Sequence, residues 1–234
     1  MLNILLTGAS RGIGAAARIA LVAAGHHVIG QSTAGGDGLI AADFAVPGAA
    51  DPLWNAAIAA APGGRIDVLV NNAGVFEAAD IADAAGFATT WARSHAINLQ
   101  SAAELCRRAV LHFQGRGGGR IVNVASRAGH RGDSPEHWHY AAAKAGMIAM
   151  TKTIARGYAR ENILAFAIAP GYTMTGMAEE YLASRGGEKL LADIPLGKVA
   201  DPEEVAETIR WLATDAPPSL TGATLDINGA SYVR

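Results

Sequence analysis

Short runs of aliphatic and β-branched residues recur along the chain, and longer Ala-rich stretches with helical spacing of apolar positions separate them. The short runs predict strands at Asn3–Leu6, His27–Gln31, Leu39–Ala42, Asp67–Val70, Gly119–Val124, Leu164–Ile168 and Thr224–Ile227. The longer stretches predict helices at Gly12–Ala24, Pro52–Ala60, Ala88–Gln114, Ser134–Arg160 and Pro202–Leu212. Strands and helices that alternate in this way favour an α/β fold, with helices on both faces of a doubly wound parallel sheet.

The connection between the second and third predicted strands breaks this alternation. It spans only seven residues, from Ser32 to Gly38, whereas a parallel crossover normally takes a dozen or more and usually includes a helix. We therefore expect a shortened crossover without a full helix. The remaining pattern shows neither an internal repeat nor a linker, so one domain is expected to cover residues 1–234.

Composition narrows the class of protein further. Half of the residues are hydrophobic, and the formal net charge is only −2. No block of Lys or Arg marks a nucleic-acid surface, and no apolar run is long enough to span a bilayer. Cys106 is the only cysteine, so we expect a buried helical thiol and no intrachain disulfide. A soluble cytoplasmic protein with no nucleic-acid or membrane partner is the expectation.

The first predicted strand runs into a glycine-rich turn. The segment Thr7-Gly-Ala-Ser-Arg-Gly-Ile-Gly14 leads from this strand into an Ala-rich helix. Glycines here permit a tight turn and let a pyrophosphate approach backbone N–H groups at the positive end of the helix dipole. A turn that merely closes a loop has a similar composition, but the order of strand, turn and helix favours a dinucleotide site.

Several later segments carry polar side chains with a candidate chemical role. Tyr140 and Lys144 lie four residues apart on one helix face, where an ammonium lowers the pKa of a nearby phenol. Ser126 follows a buried strand at the edge where such sheets bind ligands, although an ordinary turn serine fits equally well. Asn71-Asn-Ala-Gly74 follows another strand and is also typical of a turn. Asn98 is a poor helix residue unless its side chain has a task.

Taken in order, these segments resemble the short-chain dehydrogenase/reductase family over essentially the whole chain. The Tyr-xxx-Lys pair alone is weak evidence, but a long series of matches in family order is specific. The matching segments are Thr7–Gly14, Asp43, Asn71–Gly74, Asn98, Ser126, Tyr140 with Lys144, Pro170-Gly171 and Leu220-Thr-Gly222. The resemblance implies a Rossmann-type fold and an NAD(P)-dependent oxidoreductase that interconverts a carbonyl and an alcohol. Leu196–Leu212 and Leu220–Gly229 are most similar to the 3-oxoacyl-thioester reductases of that family.

The resemblance also implies a role for each matching residue. Tyr140 would exchange a proton with the substrate oxygen, and Ser126 would orient that oxygen. Lys144 would hold the nicotinamide ribose and lower the pKa of Tyr140, while Asn98 would hold a water that relays protons. The expected cofactor-binding residues are Gly8, Ser10, Arg11, Gly12, Ile13, Gly14, Ser32, Thr33, Asp43, Asn72, Ala73, Gly74, Tyr140, Lys144, Pro170, Gly171, Thr173 and Thr175.

The end of the second strand separates NAD users from NADP users in this family. An acidic residue there binds the ribose hydroxyls and repels a 2′-phosphate, whereas this chain has Ser32 followed by Thr33. Arg11 in the glycine-rich turn either pairs with a 2′-phosphate or is simply solvated. NADP(H) is therefore favoured over NAD(H).

Two segments are expected to border the substrate. The loop before Tyr140 is compatible with recognition of a polar or anionic substrate beside an apolar wall, or with a solvated loop. Its candidate residues are His130, Arg131, His137, Trp138 and His139. The second segment, at about residues 174–196, is expected to form a mostly apolar lid with a hinge at Gly186-Gly187. No metal site is expected, because no suitable set of ligands is present.

Three functions remain open at this point. The leading one is a carbonyl reductase of the 3-oxoacyl-thioester type, with a small-molecule carbonyl or alcohol as substrate. The others are an NAD-linked dehydrogenase of a cyclic diol or sugar, and a protein that binds NADP without turnover. The filled catalytic positions speak against the last. By resemblance, the helices Ala88–Gln114 and Tyr140–Arg160 would form the interface of a homodimer or homotetramer.

Overall fold

The computed structural model describes residues 1–174 and 187–234. Over these residues seven strands form one sheet in the order β3-β2-β1-β4-β5-β6-β7, and all neighbours are parallel. The strands are β1 Asn3–Leu6, β2 His27–Ser32, β3 Ile40–Ala41, β4 Val68–Asn71, β5 Gly119–Val124, β6 Ile163–Pro170 and β7 Thr224–Ile227. The predicted α/β class and doubly wound parallel sheet are confirmed, and the strand order reverses between β1 and β4.

Helices cover both faces of this sheet. They are α1 Gly12–Ala23, α2 Ala50–Ala60, α3 Ala84–His95, α4 Ser101–Gln114, α5 Ala128–Arg131, α6 Trp138–Tyr158, α7 Gly187–Ala192 and α8 Pro202–Thr214. In the described part of the chain, none is long and apolar enough to cross a membrane. Most of the predicted lid lies outside the described residues, which resume at Gly187.

Successive strand residues face opposite sides of the sheet, so the strands contribute to two cores. The core beneath α2, α4 and α6 includes Leu5, Leu69, Ile121, Trp54, Phe113 and the predicted buried thiol of Cys106. The core beneath α1 and α8 includes Ile4, Leu6, Val122, Phe166, Leu21 and Ile209. Burial on both faces explains why these strands read as continuous apolar runs.

The short crossover after β2 contains no helix, as the sequence predicts. The chain turns back between Gly36 and Leu39, where the Leu39 N–H donates to the Gly36 carbonyl at 2.8 Å. Gly35, Gly36, Asp37 and Gly38 all have positive φ values, between 52° and 85°. Three of these four residues are glycines, which adopt this backbone without a steric penalty, so a compact turn replaces the usual helix.

Two long predicted helices differ from the prediction, one by an interruption and the other by a later start. The predicted helix Ala88–Gln114 consists of α3 and α4, joined by a π-helical turn at Ala96–Gln100 that contains Asn98. The predicted helix Ser134–Arg160 starts only at Trp138. The Ser134 carbonyl accepts from the His137 N–H in a turn, and the Ser134 hydroxyl lies 2.7 Å from His137 Nδ1. Such local bonding competes with helix formation.

Candidate active site

Amide side chains from both neighbouring strand ends hold the turn after β1. Gly8, with φ of +65°, donates its N–H to Gln31 Oε1 at 2.9 Å. Its carbonyl accepts from Asn72 Nδ2 at 3.1 Å. Thr7 Oγ1 accepts from the N–H groups of Asn72 and Ala73, each at 3.0 Å. The glycine-rich turn and the segment after β4 are therefore fixed to each other.

Gly14 marks the closest approach between this turn and α1. A Cβ at this position would lie only 1.9 Å from the Gly8 carbonyl oxygen. Arg11 is exposed, its side chain does not cap α1, and Ser10 beside it is also exposed. The first N–H groups of a helix have no intrahelical partner. A tight turn that ends in such N–H groups fits the pyrophosphate of a dinucleotide.

Ser126, Tyr140 and Lys144 meet at the carboxyl end of β5. Lys144 is buried and donates from Nζ to the Val124 carbonyl at 2.8 Å. Its Nζ also lies 5.7 Å from the centre of the Tyr140 ring, one helical turn earlier. Ser126 is buried, its Oγ accepts from the Ala128 N–H at 3.1 Å, and its hydroxyl lies close enough to the phenol of Tyr140 to influence the pKa of that phenol. The structure thus brings together three of the four residues that were expected to be catalytic.

The pKa of Tyr140 is shifted in the direction opposite to the one expected from the sequence. Burial raises the pKa of Tyr140 to about 12, and the neighbouring hydroxyl of Ser126 opposes this rise. The expected lowering of the phenol pKa by Lys144 is therefore not what this structure shows. Burial also lowers the pKa of Lys144 to about 8, because a charged ammonium is disfavoured away from water.

Asn98, the fourth expected catalytic residue, is completely buried in the π-helical turn. Its Oδ1 accepts from the Val75 N–H and its Nδ2 donates to the Val75 carbonyl, both at 3.0 Å. A Cβ at Gly74 would lie 2.9 Å from Asn98 Oδ1 and 3.6 Å from Lys144 Nζ. The side chain of Asn98 thus holds the backbone after β4 close to Lys144, while the water relay stays a prediction.

The chain after β6 lies at the same edge of the sheet. The Arg127 N–H donates to the Pro170 carbonyl at 2.9 Å, and the Gly171 N–H donates to the Ile227 carbonyl at 2.9 Å. Thr173 is buried and pairs with Ala200 in an isolated parallel bridge. These contacts place Pro170, Gly171 and Thr173 next to the Ser126 loop. Thr175 lies outside the described residues.

The residues expected at the adenine end are separate from this group. Ser32 is buried, and its hydroxyl caps its own turn by accepting from the Gly35 N–H at 3.0 Å. Thr33 is exposed. Asp43 is partly buried, and its Oδ1 accepts from the Ala45 N–H at 2.9 Å. The hydroxyl of Ser32 is thus engaged within the turn, whereas that of Thr33 faces solvent.

Phe76 is a site residue that the sequence did not predict. Its ring packs edge-on against Tyr140 at 4.9 Å between ring centres and stacks on His137 at 3.8 Å. The only feature of the sequence that pointed to Phe76 as a site residue was its position two residues after Gly74. Phe76 and His137 together form an aromatic wall beside the phenol.

The other candidates in the loop before Tyr140 have different contacts. His130 stacks on Tyr232, and Arg131 forms an ion pair with Asp193 at 2.9 Å. His139 is completely buried. Trp138 is 53% exposed and packs edge-on against Phe87. Of the five candidates in that loop, His137 is therefore the one that joins the wall, and Phe76 takes the place expected for Trp138.

Comparison with known proteins gives consistent matches over the whole chain. A family model described as enoyl-(acyl carrier protein) reductase matches residues 8–230. A 3-oxoacyl-[acyl-carrier-protein] reductase of Synechocystis sp. is 39% identical, and the match covers 96% of this chain and 94% of that protein. An acetoacetyl-CoA reductase of Rhizobium meliloti is 35% identical, with 97% of each chain covered.

A solved structure shares the same fold. It is a protein from Beutenbergia cavernae, described as an NAD(P)-dependent gluconate 5-dehydrogenase with bound NADP at low occupancy. It matches with a TM-score of 0.86 and 30% sequence identity, covering 98% of this chain and 96% of that one.

Proposed function

The chain belongs to the short-chain dehydrogenase/reductase family of NAD(P)-dependent oxidoreductases, and we propose that it reduces a 3-oxoacyl thioester to the 3-hydroxyacyl thioester with NADPH. The observation that carries this proposal is the cluster in which the partly buried phenol of Tyr140 lies between two buried side chains, Ser126 and Lys144. The choice of substrate class rests on the 3-oxoacyl and acetoacetyl thioester reductases among the relatives.

Ser126 and Tyr140 supply the proton chemistry of this reaction. A bound reduced nicotinamide supplies the hydride for the carbonyl carbon. The hydroxyl of Ser126 orients the carbonyl oxygen, and Tyr140 donates its phenolic proton to that oxygen as negative charge develops. With a pKa raised to about 12, the phenol is protonated at neutral pH. That protonation state is the one that reduction requires, whereas oxidation would need the phenolate.

Lys144 is proposed to hold the nicotinamide ribose. An ammonium has three N–H donors, and one of them bonds the Val124 carbonyl. A pKa near 8 keeps most of the lysine charged at neutral pH, so the remaining donors suit two ribose hydroxyls. We further propose that Asn98 holds a water that returns a proton to Tyr140 through Lys144.

NADP(H) is proposed as the preferred cofactor over NAD(H). Ser32 occupies the position at which NAD users of the family carry an acid, so no carboxylate there repels a 2′-phosphate. The exposed side chains of Arg11 and Thr33 are the groups proposed to contact that phosphate. The pyrophosphate is assigned to the turn from Gly8 to Gly14.

Turnover with defined substrate panels tests this proposal. We expect acetoacetyl-CoA to drive NADPH oxidation by the purified protein, with weaker activity for NADH. Oxidation of a sugar acid or cyclic diol with NAD, and no reduction of acetoacetyl-CoA, would instead favour the polyol dehydrogenase function. Tight NADPH binding without turnover of any substrate would favour a binding protein. Mass measurement in solution tests the proposed homodimer or homotetramer.

A further inference from the structure

Gln31 is a buried side chain that joins three strands where the glycine-rich turn leaves β1. It is only 2% exposed. Its Oε1 accepts from the Gly8 N–H at 2.9 Å, and its Nε2 donates to the Ala42 carbonyl at 2.7 Å. The backbone carbonyl of the same residue accepts from the Ala9 N–H at 2.8 Å. One residue of β2 therefore holds both the start of the turn and the chain that follows β3.

The shortened crossover explains why this connection matters. β3 consists of two residues and pairs with β2 only through Gln31 with Ile40 and Ser32 with Ala41. A parallel crossover usually contains a helix, and the crossover between β2 and β3 contains none. The last backbone pair between β2 and β3 is Ser32 with Ala41. The amide of Gln31 adds a hydrogen bond to the carbonyl of the next residue, Ala42, which directly precedes Asp43.

The opposite side of the turn has a matching contact. Asn72 Nδ2 donates to the Gly8 carbonyl, while Gln31 accepts from the N–H of the same residue. Gly8 therefore has both of its backbone polar groups engaged by side-chain amides, one from β2 and one from the residue that directly follows β4. Because its φ is +65°, a conformation in which glycine is not sterically restrained, the two amides define the orientation of this peptide.

We propose that Gln31 is a positioning residue that fixes the glycine-rich turn and the segment leading to Asp43 in the geometry that binds the adenosine half of the cofactor. This inference rests on the proposed use of a nicotinamide dinucleotide. Only glutamine places an acceptor and a donor at this distance from the backbone. Glutamate lacks the donor for Ala42, and methionine has a similar length but neither of the two groups.

The variant Gln31→Met tests this role against a control of comparable structural cost. Arg120→Met removes two hydrogen bonds, from Nη1 to the carbonyls of Leu212 and Ala216, both at 3.0 Å. Arg120 lies at the amino end of β5, away from the glycine-rich turn. Each protein is titrated with NADPH, NADH and 2′-phosphoadenosine, and the amide hydrogen exchange of Gly8 and Ala9 is measured without cofactor.

Gln31→Met loses both side-chain hydrogen bonds and leaves the Gly8 N–H and the Ala42 carbonyl without these partners. We expect this loss to weaken NADPH and 2′-phosphoadenosine binding by roughly tenfold. The kcat at saturating NADPH should stay within about twofold, because groups remote from the reacting atoms act on binding. Gly8 should exchange faster in Gln31→Met and at the wild-type rate in Arg120→Met. Gln31→Glu keeps the acceptor, so it should retain Gly8 protection and lose part of the affinity.

Unchanged NADPH affinity and unchanged Gly8 exchange in Gln31→Met would overturn the inference about Gln31 alone. Equal loss of affinity in Gln31→Met and Arg120→Met would also overturn it, because general destabilisation would then account for both. Failure of the wild type to bind NADPH and NADH would overturn the proposed function instead. If Gln31→Met does not fold, Gln31→Glu decides instead: wild-type Gly8 exchange with weaker NADPH binding supports the inference, whereas faster Gly8 exchange or wild-type NADPH affinity overturns it.

Discussion

A single methyl group at position 14 should abolish tight cofactor binding and leave most of the fold intact. In Gly14→Ala the new Cβ would lie 1.9 Å from the Gly8 carbonyl oxygen, and real Cβ contacts are essentially never shorter than 3.0 Å. The two atoms must therefore separate by at least 3.0 − 1.9 = 1.1 Å. The Asn72 amide would also be too close, with Nδ2 at 2.6 Å from the new Cβ. Unless the helix shifts, the Gly8 peptide and the Asn72 amide must both move, which disturbs the hydrogen bond between them.

Opposing contributions decide how much Gly14→Ala changes the free energy of unfolding. Alanine improves the intrinsic propensity of α1 by about 1 kcal/mol, whereas strain and the lost hydrogen bond cost about 2–4 kcal/mol. The net loss of unfolding free energy should thus be about 1–3 kcal/mol, small enough for the protein to fold. Misplacing one or two charge-assisted N–H contacts to a pyrophosphate removes about 3 kcal/mol, so NADPH affinity should fall by roughly a hundredfold.

Fluorescence titration with NADPH and urea denaturation measure the two effects separately. The matched control is Gly157→Ala, since Gly157 is exposed near the end of α6 and an added Cβ there meets nothing within 4 Å. The control should keep wild-type affinity and gain up to about 1 kcal/mol of stability. If Gly14→Ala binds NADPH within about threefold of wild type, the turn after β1 does not hold the pyrophosphate, and the assignment of this cradle is wrong.

Three further predictions test the chemistry, the pH dependence and the cofactor preference. Tyr140→Phe should lower kcat by roughly 10²–10⁴-fold, the usual contribution of a general acid, with NADPH affinity retained; a smaller loss in steady-state assays would assign the proton to another group. Burial lowers the pKa of His112, His137 and His139 in the folded state, so the unfolded chain binds more protons as pH falls below about 6.5. Urea denaturation should therefore show full stability above that pH and a loss below it, by up to about 1.4 kcal/mol per pH unit for each such histidine, and a flat profile between pH 7 and 5 would contradict this. Ser32→Asp should weaken NADPH binding by about tenfold or more and spare NADH, because a carboxylate repels the 2′-phosphate; parallel titrations that show equal losses would refute the assignment of this position.

The sequence determined much of the fold because its signals are local. Alternation of apolar runs and helical spacing depends on near neighbours along the chain, so strands such as Gly119–Val124 and Thr224–Ile227 were predicted with their observed limits. The short crossover was predictable for the same reason, since chain length alone forbids a helix there. Ser126 could be predicted because the carboxyl ends of parallel strands share one edge, where ligands bind. Tyr140 and Lys144 could be predicted from their spacing of four residues on one helix face and from the order of the matching segments.

The tertiary structure decided what depends on partners distant along the chain. Gln31 lies 23 residues from Gly8, and Asn72 lies 64 residues from it, and no local pattern reports such pairs. Phe76 became part of the site only because the segment after β4 packs against the start of α6. The pKa of Tyr140 rises through burial, which neighbouring elements create and the spacing to Lys144 does not reveal. Local periodicity thus specifies which elements form, whereas desolvation and side-chain pairing arise only once those elements are packed together.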